Sequence, residues 1–149
     1  MNATGAAEAW AFPPEPASTR EARRRVSSAL ESRHLVDVAT TVALVVTELA
    51  TNAVLHARTP FEVRVDVRDR LVRVEVHDAM GRSPVRRYFS DTAASGRGLR
   101  LIEALCDAWG VEPDPDGGGK TVWAEVSLTG STGPVEPVEP VDVDPVDSL

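Results

Sequence analysis

The hydrophobic period of this chain changes from 3.6 to 2 at Pro60, and the change limits what it can fold into. Before the proline, Val42, Val46, Leu49 and Ala53 recur at helical spacing in a segment without Gly or Pro. After it, Phe61, Val63, Val65 and Val67 alternate with Glu62, Arg64, Asp66 and Arg68. Past Asp69-Arg70 the alternation resumes as Val72, Val74 and Val76 against Arg73, Glu75 and His77. Period 2 on both sides of a short polar turn predicts an antiparallel hairpin with one buried and one wet face. The chain therefore carries a helix with one apolar stripe and, directly after it, a hairpin with one apolar face.

The helix carries a second stripe. Glu48, Asn52 and His56 recur every fourth residue and drift by roughly 40° per step on an α-helix, so the three polar groups point the same way. They lie beside the apolar stripe, at the edge of the core, where pockets form. An amide oxygen there can bind a hard cation and a carboxylate can take a proton; a solvated helix face is the plainer reading of the same spacing. Asp78 follows in phase with Val72, Val74 and Val76. A carboxylate on the buried side needs a hydrogen-bond donor, which a ligand amino group, a backbone turn or a helix N-terminus can supply.

The remaining segments fit around this centre. Residues 1–9 are small and polar and read as a disordered N-terminus. Trp10 to Phe12 reads as a short strand closed by Pro13, Pro14 and Pro16. Ser18 or Thr19 can cap a helix running to about Ser32, with Ala22, Val26, Ala29 and Leu30 on its apolar side. Arg20, Arg23, Arg24 and Arg25 on that helix read as a solvated face. The stripe helix starts near Asp37 and stops before Pro60.

From Ala79 to Ser95 no period survives, as expected of a functional or mobile loop. Gly96-Arg97-Gly98 then opens a helix whose Leu99, Ile102 and Cys106 share a face; glycines at a helix start let a phosphate approach the free backbone N–H groups. Cys106 reads as a small core residue, without a visible activating neighbour. Trp109 to Val111 and Thr121 to Leu128 read as strands around a turn at 113–119. The run G-G-G-K-T at Lys120, the chain's only lysine, is not a P-loop: Asp114 stands where the first glycine should, and a strand follows where that motif needs a helix.

Composition removes several classes of function. The net charge of -7 is concentrated in the last stretch, where Glu136, Glu139, Asp142, Asp144 and Asp147 stand without a base. The remainder is near neutral and lacks the basic footprint of a nucleic-acid binder. The repeat V-E-P-V-E-P-V-D-V-D-P has no core-forming pattern and reads as a disordered acidic tail over 129–149. A single cysteine excludes an internal disulfide and suits a reducing compartment. No apolar run is expected to reach the ~18 residues of a membrane span, and no secretory leader is legible. The chain reads as cytoplasmic, without membrane or nucleic-acid partners.

Taken in order, E-L-A-T-N-A-V-L-H, the hairpin ending in His77-Asp78, the variable loop, G-R-G-L and G-G-G-K-T-V-W resemble the boxes of the gyrase, histidine-kinase and mismatch-repair (GHKL) ATPase superfamily. The likeness is closest to stand-alone anti-sigma-factor serine kinases and covers roughly Trp10 to Leu128. It implies an α/β two-layer sandwich of the Bergerat type over residues 10–128, with three helices on one face of a mixed, largely antiparallel sheet. It further implies ATP and Mg²⁺ as cofactors, with Glu48 as general base, Asn52 as the Mg²⁺ ligand and His56 near the phosphates. Asp78 would accept from the adenine amino group, with Gly81 in the adenine-side loop. Gly96, Arg97, Gly98 and Leu99 would form the phosphate box, Ala79 to Ser95 the lid, and Thr121 the last-strand residue near adenine. Two positions depart from the usual D-x-G-x-G: Met80 and Arg82 replace its glycines, and Gly81 is out of register. Thr121 also lies out of phase with Val122 and Ala124.

The activity implied is transfer of the ATP γ-phosphate to a serine or threonine of a small anti-anti-sigma-like protein. A sigma factor and a second copy of the chain, as a homodimer, are the further partners the resemblance brings. The alternative is an ATP-binding regulatory module that sequesters a partner without phosphate transfer. Histidine kinase activity ranks below both, because His34 is the only histidine ahead of the nucleotide region, with too little chain before it for a phosphoacceptor hairpin.

Overall fold

A computed structural model describes residues 6–80 and 98–128. Five strands, β1 (Ala6–Phe12), β2 (Phe61–Val67), β3 (Leu71–Asp78), β4 (Ala108–Pro113) and β5 (Lys120–Ser127), form one sheet in the order β1-β2-β3-β5-β4. Three helices, α1 (Pro16–Glu31), α2 (Val36–Asn52) and α3 (Gly98–Leu105), complete the α/β sandwich. Every described strand pairing is antiparallel, so the sheet lacks the parallel component of a mixed one. β2–β3 and β4–β5 join consecutive strands, whereas β1 meets β2 across α1 and α2, and β5 meets β3 across the segment carrying α3 and β4.

The alternation after Pro60 orders the sheet as its period demands. Val63 and Val65 on β2, Val72, Val74 and Val76 on β3, and Val122, Ala124 and Val126 on β5 are all buried on one face. Against them pack Val42, Val45, Val46 and Leu49 of α2 and Val26 and Leu30 of α1, all fully buried. Each such side chain contributes about 1.5–3 kcal/mol of transfer free energy, so α2 is the principal anchor of the helix layer. The other sheet face keeps its charges in solvent reach. Arg73 bridges Glu75 and Glu125 at 2.8 Å each and stacks 4.4 Å from the Trp123 ring centroid.

Several boundaries differ from expectation. β1 begins at Ala6, inside the segment read as a disordered N-terminus, because Ala6 to Ala9 pair with Arg64 to Val67. Pairing partners far along the chain override the weak local preference of an alanine-rich stretch. α1 starts at Pro16, whose fixed φ and missing N–H suit the first helical position, so neither Ser18 nor Thr19 caps it. Ser18 instead donates from Oγ to the Pro13 carbonyl at 2.7 Å. On α1 the pairing of Arg25 and Arg24 with Glu21 holds that exposed carboxyl below the usual range, in line with a solvated basic face.

The helix from Val36 through Ala57 is 22 residues, long and apolar enough by length and composition to cross a membrane, which corrects the expectation that no segment is. Here its apolar side is occupied by the sheet and by α1. The segments 1–5, 81–97 and 129–149, which hold Gly81, Gly96, Arg97, most of the expected lid and the acidic tail, lie outside the described residues.

Candidate functional site

The stripe helix does not end as an α-helix. Beyond Asn52 the backbone widens into a π-helical turn, Ala53–Ala57, closed by Arg58 N–H donating to the Ala53 carbonyl at 3.1 Å. Arg58 then takes a left-handed φ of 58°, and Thr59-Pro60 leads into β2. A π turn advances each residue by less than an α turn, so His56 falls closer in line with Asn52 than α geometry would place it. Such turns are frequent at functional sites.

Along this edge, Glu48 and His56 are half-buried and Asn52 is fully buried. The spacing argument therefore placed the stripe correctly at the rim of the core. Neither Nδ2 nor Oδ1 of Asn52 has a hydrogen-bond partner, although both are buried. An amide left in that state costs about 1–3 kcal/mol per unsatisfied group, which a fold tolerates where a ligand completes the bonds. Among the described residues no group of three or more His, Cys, Asp or Glu could hold a metal ion. The unpartnered amide oxygen of Asn52 would suit a hard cation that takes its other ligands from phosphate and water.

Asp78 ends β3 under this edge and is fully buried. Its Oδ1 accepts from the Met80 N–H at 2.8 Å and from Lys120 Nζ at 3.0 Å. Its Oδ2 is buried without a partner, which leaves one acceptor free for a ligand donor. Of the three donors the sequence left open for Asp78, a backbone turn takes Oδ1 and none is present for Oδ2. Thr59 Oγ1 accepts from the Ala79 N–H at 3.1 Å and so ties the chain leaving Asp78 to the end of the π turn.

Lys120 was legible only as the odd lysine of a failed P-loop. It is almost fully buried, pairs in register with Asp78, and also donates to the Met80 carbonyl at 3.0 Å. Its phase with Val122, Ala124 and Val126 was the available signal, hidden by starting the strand at Thr121. Thr121 itself pairs with His77 in the neighbouring row, whose side chains take the other sheet face. It therefore lies on the opposite face from Asp78, and Lys120 is the last-strand residue that meets that carboxylate. The glycine run serves the β4–β5 turn: a Cβ on Gly119 would collide with the Asp78 carbonyl oxygen and come within 2.8 Å of Asp114 Oδ2. Asp114 in turn bonds His77 Nε2 at 2.8 Å.

Gly98 and Leu99 form the first residues of α3, as the glycine-opened helix required. Cys106, partly buried behind it, has its thiol pushed up to about 12 by burial and then by Asp107, so it is a packing residue and not a nucleophile.

The described residues thus include a fully buried amide at the end of a core helix, a buried carboxylate with one oxygen that has no partner, and a helix opening on glycine. The chain matches the histidine kinase-like ATPase domain family over residues 12–126 and belongs to that family. Membership implies binding of ATP. No curated protein matches the chain.

Proposed function

We propose that this protein is a cytoplasmic serine/threonine kinase of the anti-sigma-factor type, acting on a small anti-anti-sigma-like partner with Mg-ATP as donor. The observation that carries the reading is the pair of buried side chains with acceptors that have no partner, the Asn52 amide and Asp78 Oδ2. Asp78 accepts from the exocyclic amino group of the base. Asn52 holds Mg²⁺, which supplies neutralisation of phosphate charge when bound. Glu48 lies one helical turn before Asn52 on the same stripe, half-buried and therefore reachable from solvent.

In the reaction the partner's hydroxyl oxygen bonds to the γ-phosphorus, the bond from that phosphorus to the β–γ bridging oxygen breaks, and ADP leaves. The hydroxyl proton passes to the Glu48 carboxylate. Positioning carries most of the catalysis, with the base adding ~10²–10⁴-fold. A sigma factor and a second copy of the chain belong to the same proposal as partners that phosphorylation would release or that would assemble the regulator.

The test is a pull-down in ATP, phosphosite mapping on the recovered partner, and two variants. Glu48→Gln keeps ATP binding and loses transfer; Asn52→Ala weakens Mg-ATP binding itself. Wild type that binds ATP but phosphorylates no recovered partner, with Glu48→Gln indistinguishable from it, would replace the kinase by a module that sequesters its partner.

A further inference from the structure

We propose that Lys120 makes the base pocket select adenine over guanine, by committing one oxygen of Asp78 and leaving the other as the pocket's single carboxylate acceptor. The inference rests on the reading of Asp78 as the base-recognising carboxylate.

A carboxylate oxygen has two lone pairs to offer. Those of Asp78 Oδ1 are taken by the Met80 N–H at 2.8 Å and by Lys120 Nζ at 3.0 Å, whereas Oδ2 is buried and has no partner. Lys120 is held there from both sides, since it also donates to the Met80 carbonyl at 3.0 Å. Its position on the inward row of β5, beside Val122 and Ala124, leaves it almost no solvent. A buried ion pair is a weak way to stabilise a fold, because well-packed apolar residues of the same volume do as well or better. Its use here is to fix which oxygen faces the ligand.

The base edges differ in what they ask of a carboxylate. Adenine presents one amino donor beside a ring-nitrogen acceptor and needs a single acceptor oxygen. Guanine presents two adjacent N–H donors, from its ring nitrogen and its amino group, and needs both oxygens of one carboxylate. With Oδ1 committed, guanine leaves a donor unsatisfied in a buried pocket, a penalty of roughly tenfold to a hundredfold in affinity.

Titration calorimetry on the full chain with Mg-ATP and Mg-GTP, all proteins in one buffer, tests this. Wild type is expected to prefer ATP by at least about tenfold. In Lys120→Met the preference collapses toward unity, because GTP gains the second acceptor; Lys120→Gln, which keeps an N–H for Oδ1, retains it. Lys120→Met that weakens both nucleotides alike would overturn the inference and leave Lys120 a structural residue, as would Lys120→Gln losing the preference. Should Lys120→Met fail to melt cooperatively, wild type and Lys120→Gln carry the test, and wild-type affinities for the two nucleotides that agree overturn it. Wild type that binds neither nucleotide defeats the reading of Asp78 itself, an outcome distinct from tight ATP binding whose ratio to GTP does not respond at position 120.

Discussion

Replacing Asn52 by leucine should make the protein more stable and unable to use Mg-ATP. The amide is fully buried and both its polar atoms lack partners. Each unsatisfied group costs about 1–3 kcal/mol, and leucine, close in size, removes both. Against this stands a shape change of up to about 1.5 kcal/mol for a near-isosteric swap in a packed core. With that cost taken in full, the net expectation is a gain of about 0.5–4.5 kcal/mol, a rise in melting temperature of roughly 2–18 °C at about 4 °C per kcal/mol for a domain of this size. The assay is a pair of thermal melts on wild type and Asn52→Leu, each without nucleotide and with Mg-ATP. Wild type should gain about 2.7 kcal/mol at a hundred times its dissociation constant, and Asn52→Leu should gain nothing. A variant that melts at or below wild type without nucleotide would refute the reasoning, since the amide would then be supporting the fold. One that still responds fully to Mg-ATP would refute the assignment of Asn52 as the Mg²⁺ ligand.

The buried pair changes what a substitution at Asp78 should do: Asp78→Asn strands the Lys120 cation and should cost about 3–5 kcal/mol as well as ATP binding. The double variant Asp78→Asn with Lys120→Met should recover the stability in denaturant titration but not the nucleotide heat; recovery of both would show that the carboxylate does not read the base. Gly119→Ala should destabilise the protein and weaken ATP binding together, because its Cβ meets backbone and not a yielding side chain; a melt equal to wild type would contradict the close approach. Cys106, its thiol pushed up to about 12, should alkylate far more slowly at pH 8 in the native protein than in denaturant, and equal rates followed by mass spectrometry would show that burial does not control it.

The sequence by itself determined the helix before Pro60, the hairpin after it and the sharing of one helix stripe by Glu48, Asn52 and His56. Hydrophobic period is a local property: 3.6 before Pro60 and 2 after it specify a helix face and a sheet face, whereas the two-layer arrangement came with the likeness of the ordered boxes to a known superfamily. The phase of Asp78 with Val72, Val74 and Val76 was legible for the same reason. What tertiary structure decided depends on partners distant in the chain. Ala6 to Ala9 become strand because Arg64 to Val67 offer a paired edge, a signal absent from small residues read alone. Lys120 finds its buried carboxylate only when β5 sets it opposite Asp78, 42 residues earlier. The π turn after Asn52 has no periodic signature in five residues. It follows from joining a helix anchored on the sheet to β2 within the few residues before Pro60, and it sets the direction in which His56 points.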